Sequence, residues 1–344
     1  MLRQKPLSSL NLKSTFLVWG FPSQGPRSRA LARELGIDSL HFIYKSTRRG
    51  ATSALFRYAY QTFQTLNILF RERPRLVFVQ SPPSLAVLFV YLYCALGRAR
   101  YVVDAHSSAF TLRIWNRPAW LHRFLARRAV TTLVTNEHFQ QTIRDRGGHA
   151  FVLRDVPTRF DVRESYPLDG VFSLAMVNTF SEDEPLAEVL EAARALPEVR
   201  FYVTGKKKSA PPGVVENAPA NVRFTDFLPD DAYYALLKDA QAVLCLTTRN
   251  HTMQRGACEA LSLGTPIITS DWPLLRDYFR TGAVHVANTR EDIRRGVLEL
   301  RARYLDYQAG IRDLQVAQQR EWQEKSGALI DLIDHATLDG SRGR

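Results

Sequence analysis

The sequence predicts an α/β protein built from two doubly wound domains, each a parallel sheet covered by helices on both faces. Short apolar runs alternate with helical periodicities along most of the chain, the pattern of repeated βα units. The alternation restarts after a charged, proline-bearing stretch at 155–169. The length of 344 residues, with 45% hydrophobic and 23% charged residues, suits two packed domains rather than one.

The elements follow in order. Residues 15–19 (TFLVW) form an uncharged run stopped by Gly20, then a Pro/Gly loop leads into a helical stretch at 28–35. Residues 39–44 read as the second strand. Between 54 and 70, Phe56, Ala59, Phe63, Leu66 and Phe70 recur at helical spacing until Pro74 stops the helix. LVFV at 76–79 is a buried strand and 85–96 a helix too short to span a bilayer. Strands at 101–103, 132–135 and 151–153 complete the first half.

In the second half, strands are expected at 172–177, 200–203, 222–224, 242–246, 266–268 and 284–286. Helices are expected at 185–196, 231–237 and 255–263, and long charged helices from 290 to 336. The domains then run 1–160 and 161–344, with the last helices packing back toward the first. Such sheets bind ligands beyond the carboxyl ends of their strands, so informative residues should follow strands.

Charge is unevenly placed. The formal net charge is +12, but residues 1–165 hold 25 Lys+Arg against 9 Asp+Glu, a balance of +16, and residues 166–344 hold 21 against 25, a balance of −4. A basic half implies an anionic partner: nucleic acid, a phospholipid surface or a phosphorylated substrate. The basic residues are scattered over helices without an aromatic-and-basic recognition motif, which argues against nucleic acid. Phe56, Tyr60, Phe63 and Phe70, with Arg57, Arg71, Arg73 and Arg75, form either an amphipathic cationic face or ordinary core packing. Three cysteines without a C-x-x-C pair read as buried reduced thiols of a cytoplasmic protein. No apolar run of signal-peptide length precedes the first strand. Peripheral contact with the inner face of a membrane remains open.

The segment Gly20-Phe-Pro-Ser23-Gln24-Gly25-Pro26-Arg27-Ser28 nearly fits a phosphate-binding G-x-x-x-x-G-K-[ST] loop. Pro26 replaces the lysine and removes an amide, which excludes an NTPase. Ser23, Gln24 and Gly25 then form a plain turn, or one that seats a substrate phosphate or acceptor. No G-x-G-x-x-G occurs, so a dinucleotide cofactor is unsupported. Asp104 and His106 follow a buried strand, where catalytic groups usually project, and His106 can exchange a proton near neutral pH. Gly205, Lys206 and Lys207 follow another strand, as a solvated run or as partners for a diphosphate.

The densest segment is TTRNHTMQRGACEALSLGTPIITS at 247–270. A polar loop leads to a helix starting near Met253 or Gln254, whose free amides make an anion site to which Arg255 adds charge. Glu259 lies one turn beyond Arg255, able to accept two ribose hydroxyls or to form an ion pair with Arg255.

On these residues the chain resembles GT-B glycosyltransferases. CEALSLGTPIITSDWPLLRDYF resembles the nucleotide-sugar motif of family 4. VQSPPSLAVL, YVVDAHSSAF, LVTNEHFQQTI, TFSEDEPLAEVLEA and YVTGKKK resemble stretches of chitobiosyl-diphosphodolichol β-mannosyltransferases. The resemblance implies two Rossmann-like domains facing across a cleft. It also implies transfer from a UDP- or GDP-linked sugar to a lipid-phosphate-linked or glycan acceptor, with no cofactor and no obligatory metal. Glu259 matches the glutamate that holds the donor ribose, His106 a histidine close to the transferred sugar, and Gly205 and Lys206 a pair near the donor phosphates. Arg255 and the amides around Thr252, Met253 and Gln254 would offset the leaving diphosphate, with Asp104 or His106 as base. Two departures stand out: His251 occupies the place of a second glutamate, and the basic residue usual near Asp183 and Glu184 is absent. A sugar-nucleotide epimerase and a nucleic-acid-binding protein are the alternatives.

Overall fold

The computed structural model describes residues 7–21, 25–44, 51–97, 99–111 and 118–342. The chain divides into two compact units. One is Met1–Val156 with Glu321–Arg344, the other Pro157–Arg320.

The first unit contains β1 (Ser14–Val18), α1 (Pro26–Leu35), β2 (Ser39–Phe42), α2 (Ala51–Glu72), β3 (Leu76–Ser81), α3 (Ser84–Leu96), β4 (Arg100–Ala105), α4 (Ser108–Thr111), α5 (Ala119–Ala126), β5 (Thr131–Val134), α6 (Glu137–Asp145) and β6 (Ala150–Val152). The strands form one parallel sheet in the order β2-β1-β3-β4-β5-β6. Alternate residues feed opposite faces. Leu17, Val77, Val79 and Val103 pack on one side, and Phe16, Phe78, Val102 and Leu133 on the other. Burial on both faces explains why these strands read as continuous apolar runs.

The second unit contains β7 (Phe172–Met176), α7 (Leu186–Arg194), β8 (Val199–Thr204), β9 (Val222–Asp226), α8 (Asp230–Asp239), β10 (Ala242–Cys245), α9 (Arg255–Leu263), β11 (Ile267–Ser270), α10 (Pro273–Tyr278), β12 (Ala283–Val286) and α11 (Arg290–Ala302). Its parallel sheet runs β12-β11-β10-β7-β8-β9. Its two core layers are again opposite faces, Leu174 and Phe201 against Ala175 and Tyr202. The closing helix α12 (Tyr304–Arg342) gives Ile311 and Leu314 to the second unit's core, and Trp322, Leu329 and Ile333 to the first's.

Both sheets have a topological switch point, where neighbouring strands send their connections to opposite faces and a crevice opens. In the first sheet it lies between β1 and β3, in the second between β7 and β10. The helical stripe expected between 54 and 70 lies in α2, but it faces away from the core. Phe56, Phe63 and Phe70 are exposed, while Gln61, Thr65 and Leu69 are the buried positions. Helices α4, α5 and α6 were not anticipated. Among the described residues no helix is long and apolar enough to cross a membrane.

Candidate functional site

The first unit brings Asp104 and His106 together with a third group. Asp104, next to last in β4, has its side chain fully buried, and His106 Nε2 lies 3.3 Å from its Oδ2. Arg27, in the first turn of α1, reaches across the switch point. Its Nε donates to Asp104 Oδ1 at 3.3 Å, and Nη1 to Asp155 Oδ1 at 2.6 Å. Nη2 is held by the Leu153 carbonyl at 2.9 Å. Burial works to raise the Asp104 carboxyl, but the Arg27 guanidinium and the His106 ring outweigh it and hold the group below the usual carboxylate range. Asp104 is therefore an enclosed anion that orients the half-buried His106, which is the more accessible of the two for proton transfer. Gly25 caps α1 two residues before Arg27, and a Cβ there would overlap the Phe42 ring. Ser23 and Gln24 lie outside the described residues.

In the second unit the loops after β7 and β10 meet across the switch point. Thr247 Oγ1 donates to Asp183 Oδ2 at 2.9 Å, and Thr248 N to the Asp183 carbonyl at 2.8 Å. Arg249 Nη2 stands 3.4 Å from Asp183 Oδ1, so the loop after β10 brings a cation to this acidic segment. Glu184 accepts from the Thr179 and Ser181 amides at 2.8 and 3.0 Å. Beside them, the loop after β8 turns at Gly205, whose φ is +105° and whose Cβ would overlap the Asn178 carbonyl oxygen. Only glycine meets both demands. Lys206 then lies over the Phe227 ring at 5.3 Å, and the Lys207 amide donates to Asp226 Oδ1 at 3.0 Å.

Helix α9 starts at Arg255 with Gln254 as N-cap, over the expected range of 255–263, and ends at left-handed Gly264. Arg255 Nε donates to Glu259 Oε1 at 2.7 Å, and the Tyr233 hydroxyl donates to Oε2 at 2.8 Å. The Glu259 side chain is 10% exposed and that of Arg255 55%. Burial and the Glu259 charge raise the Tyr233 hydroxyl well above its usual value. The Gly256 and Ala257 amides in the first turn point at the buried Cys245 thiol. Burial pushes that thiol up to about 12 against their pull. Gln254 accepts from the same sulfur at 3.3 Å. Thr252 and Met253 precede the helix, and Met253 packs against the core. His251 takes a left-handed φ of +58°.

Thus Arg255 and Glu259 are brought together, as are Asp104 and His106, each pair within one unit. Sequence reasoning missed Tyr233, Arg27 and Arg249 as partners. The alignment of Arg27 just inside the α1 N-terminus was the one available signal, because a cation there opposes the helix dipole and calls for a specific anion.

Comparisons with known proteins agree with this fold. Residues 184–324 match the family model described as glycosyl transferase-like, a segment that contains Gly205, Lys206, Arg255 and Glu259. The two six-stranded parallel sheets with flanking helices are those of the GT-B glycosyltransferases. Fold and matched segment together define a transferase-type enzyme. Sucrose-phosphate synthase from Thermosynechococcus elongatus is 13% identical with a TM-score of 0.69, over 94% of this chain and 100% of that one. A glycosyltransferase from Rickettsia africae is 11% identical with a TM-score of 0.65, over 94% and 99%. Anabaena Alr3699/HepE in complex with UDP-glucose is 12% identical with a TM-score of 0.61, over 95% and 99%. Comparison with curated proteins finds no match.

Proposed function

We propose that the protein transfers a hexose from a UDP- or GDP-linked donor to a lipid-phosphate-linked or glycan acceptor, in the cytoplasm at the inner face of a membrane. The observation that carries the reading is the Arg255–Glu259–Tyr233 group on α9 and α8, inside the segment that matches the glycosyl transferase-like model. Glu259 would hold the donor ribose, exchanging its present partners for sugar hydroxyls. Arg255, Gly205, Lys206 and Lys207 would offset the diphosphate, with the Thr252, Met253 and Gln254 amides beside them. The bond from the anomeric carbon to the diphosphate breaks as the acceptor oxygen bonds that carbon. The acceptor proton passes to His106, which Asp104 orients, and the nucleoside diphosphate leaves without an obligatory metal. The UDP-glucose bound by HepE and the motif likeness to family 4 and to β-mannosyltransferases make UDP-glucose and GDP-mannose the first donors to try.

The test is a thermal-shift screen against nucleoside diphosphates and their sugars. A ligand at one hundred times its dissociation constant adds about 2.7 kcal/mol of stability. One nucleotide standing out, followed by transfer that needs an acceptor, supports the reading. Donor turnover with no acceptor present would instead identify an epimerase, and no shift with any nucleotide would sink it.

A further inference from the structure

We propose that the outward face of α2, continued by the exposed end of α3, docks on an anionic lipid bilayer. Helix α2 inverts the ordinary pattern of a surface helix, which hides apolar residues and shows polar ones. Its buried positions include Gln61, whose Nε2 donates to the Ile43 carbonyl at 2.9 Å, and Thr65, which accepts from Trp19 Nε1 at 2.8 Å. Its outward positions are Phe56, Phe63 and Phe70, which are 71, 66 and 54% exposed. Their spacing is close to two helical turns, so the three rings form one row. Ala59 and Asn67 lie between them and are also exposed. Phe70 meets Tyr93 edge-on with centroids 5.6 Å apart, which extends the row to α3. There Leu92 and Leu96 are 43 and 81% exposed.

Charge identifies the occupant. Lys13, Arg71, Arg73, Arg75 and Arg100 are exposed around the end of α2 and the first residues of β3 and β4. The backbone fixes this grouping, because Arg75 N donates to the Lys13 carbonyl at 2.8 Å and Arg100 N to the Arg75 carbonyl at 2.9 Å. None of the five forms an ion pair among the described residues. Glu72, between Arg71 and Arg73, is taken by Ser39 and His41, each at 2.8 Å, and Asp38, near Lys13, by the Ser14 amide and hydroxyl at 2.7 and 2.8 Å. Aromatic rings beside uncompensated cations suit a helix lying in the headgroup layer, with its rings at the acyl boundary and its cations on lipid phosphates. Nucleic acid would engage the cations and leave the phenylalanine row in water. A second copy of the chain would bring like charges together.

The proposal extends the lipid-linked acceptor reading and rests on it for its purpose. Its test uses no donor or acceptor, so the two fail separately. The full chain is sedimented at low salt with phosphatidylcholine vesicles, with and without phosphatidylglycerol. Binding is expected to the anionic vesicles and to weaken about tenfold or more without phosphatidylglycerol. Phe56→Ser with Phe63→Ser and Phe70→Ser should weaken it by about tenfold or more, as should Arg71→Glu with Arg73→Glu and Arg75→Glu. If the triple serine chain does not fold, Phe63→Ser alone should still weaken binding by a few-fold, roughly threefold or more. No binding, equal binding to both vesicle types, or binding that ignores the phenylalanine substitutions overturns the proposal. So does vesicle-independent self-association through these rings.

Discussion

Arg255 Nε lies 2.7 Å from Glu259 Oε1, one turn along α9, while the other carboxylate oxygen accepts the Tyr233 hydroxyl at 2.8 Å. Glu259 is thus fixed from two elements before any ligand arrives, by one half-exposed cation and one partly buried phenol. The two contacts differ in worth. The ion pair reaches solvent through Arg255 and contributes about 0–1 kcal/mol. The phenol would be left without an acceptor, at a cost of about 1–3 kcal/mol. Glu259→Ala should therefore lower the urea-unfolding free energy by that second amount. Donor affinity should fall further, by about tenfold or more. Glu259→Gln keeps an acceptor for Tyr233 and should recover stability while leaving donor binding weak. Recovered donor binding in Glu259→Gln would show that the charge is unimportant.

Asp104 predicts a pH dependence. Its carboxyl is held below the usual range in the folded chain by Arg27 and His106, after burial has worked the other way. The resulting stability is fully present above the unfolded value, about 3.9, and is lost as pH falls through the lower folded value. Asp104→Asn removes one anion beside the buried Arg27, whose other anion, Asp155, remains. The variant should be about 3 kcal/mol less stable than the parent at neutral pH. The gap should shrink on acidification, as the parent loses the same interaction. Urea midpoints across the acid range measure it, and a gap that widens there would contradict the assignment.

His106 separates binding from chemistry. The ring is accessible where Asp104 is sealed. His106→Ala should leave nucleotide-induced thermal shifts unchanged and slow transfer by about a hundredfold or more. Equal losses in donor binding and rate would make it a binding residue instead.

The strands were legible where burial on both sheet faces keeps charge out of them, as in LVFV at 76–79 and the AVLC of β10. Helices α5 and α6 were not. Helix α6 buries only Phe139 and Ile143, too few positions to show a period. Helix α2 exposes a different limit. Periodicity reveals a stripe but not which side it faces, and here Gln61 and Thr65 face inward because Ile43 and Trp19 supply their hydrogen bonds. In the candidate site, Arg255 and Glu259 share a helix face and are readable from spacing. Tyr233 lies 26 residues from Glu259 and Arg27 77 residues from Asp104, so only the folded chain pairs them.

Gly205 offers a steric test with its own control. Both Gly205 and Gly170 have positive φ, +105° and +76°, but a Cβ at 170 meets nothing within 4 Å, whereas one at 205 overlaps the Asn178 carbonyl oxygen. Gly170→Ala should cost only the backbone term, about 1 kcal/mol. Gly205→Ala adds a backbone-to-Cβ clash that no rotamer relieves, and its cost should reach about 3 kcal/mol. Relief requires the loops after β7 and β8 to part, which would move Lys206 away from its place over Phe227. Donor affinity should then fall in the Gly205 variant and hold in the Gly170 variant. Equal stability losses in the two variants would mean that the approach of Gly205 to Asn178 is not required by the fold.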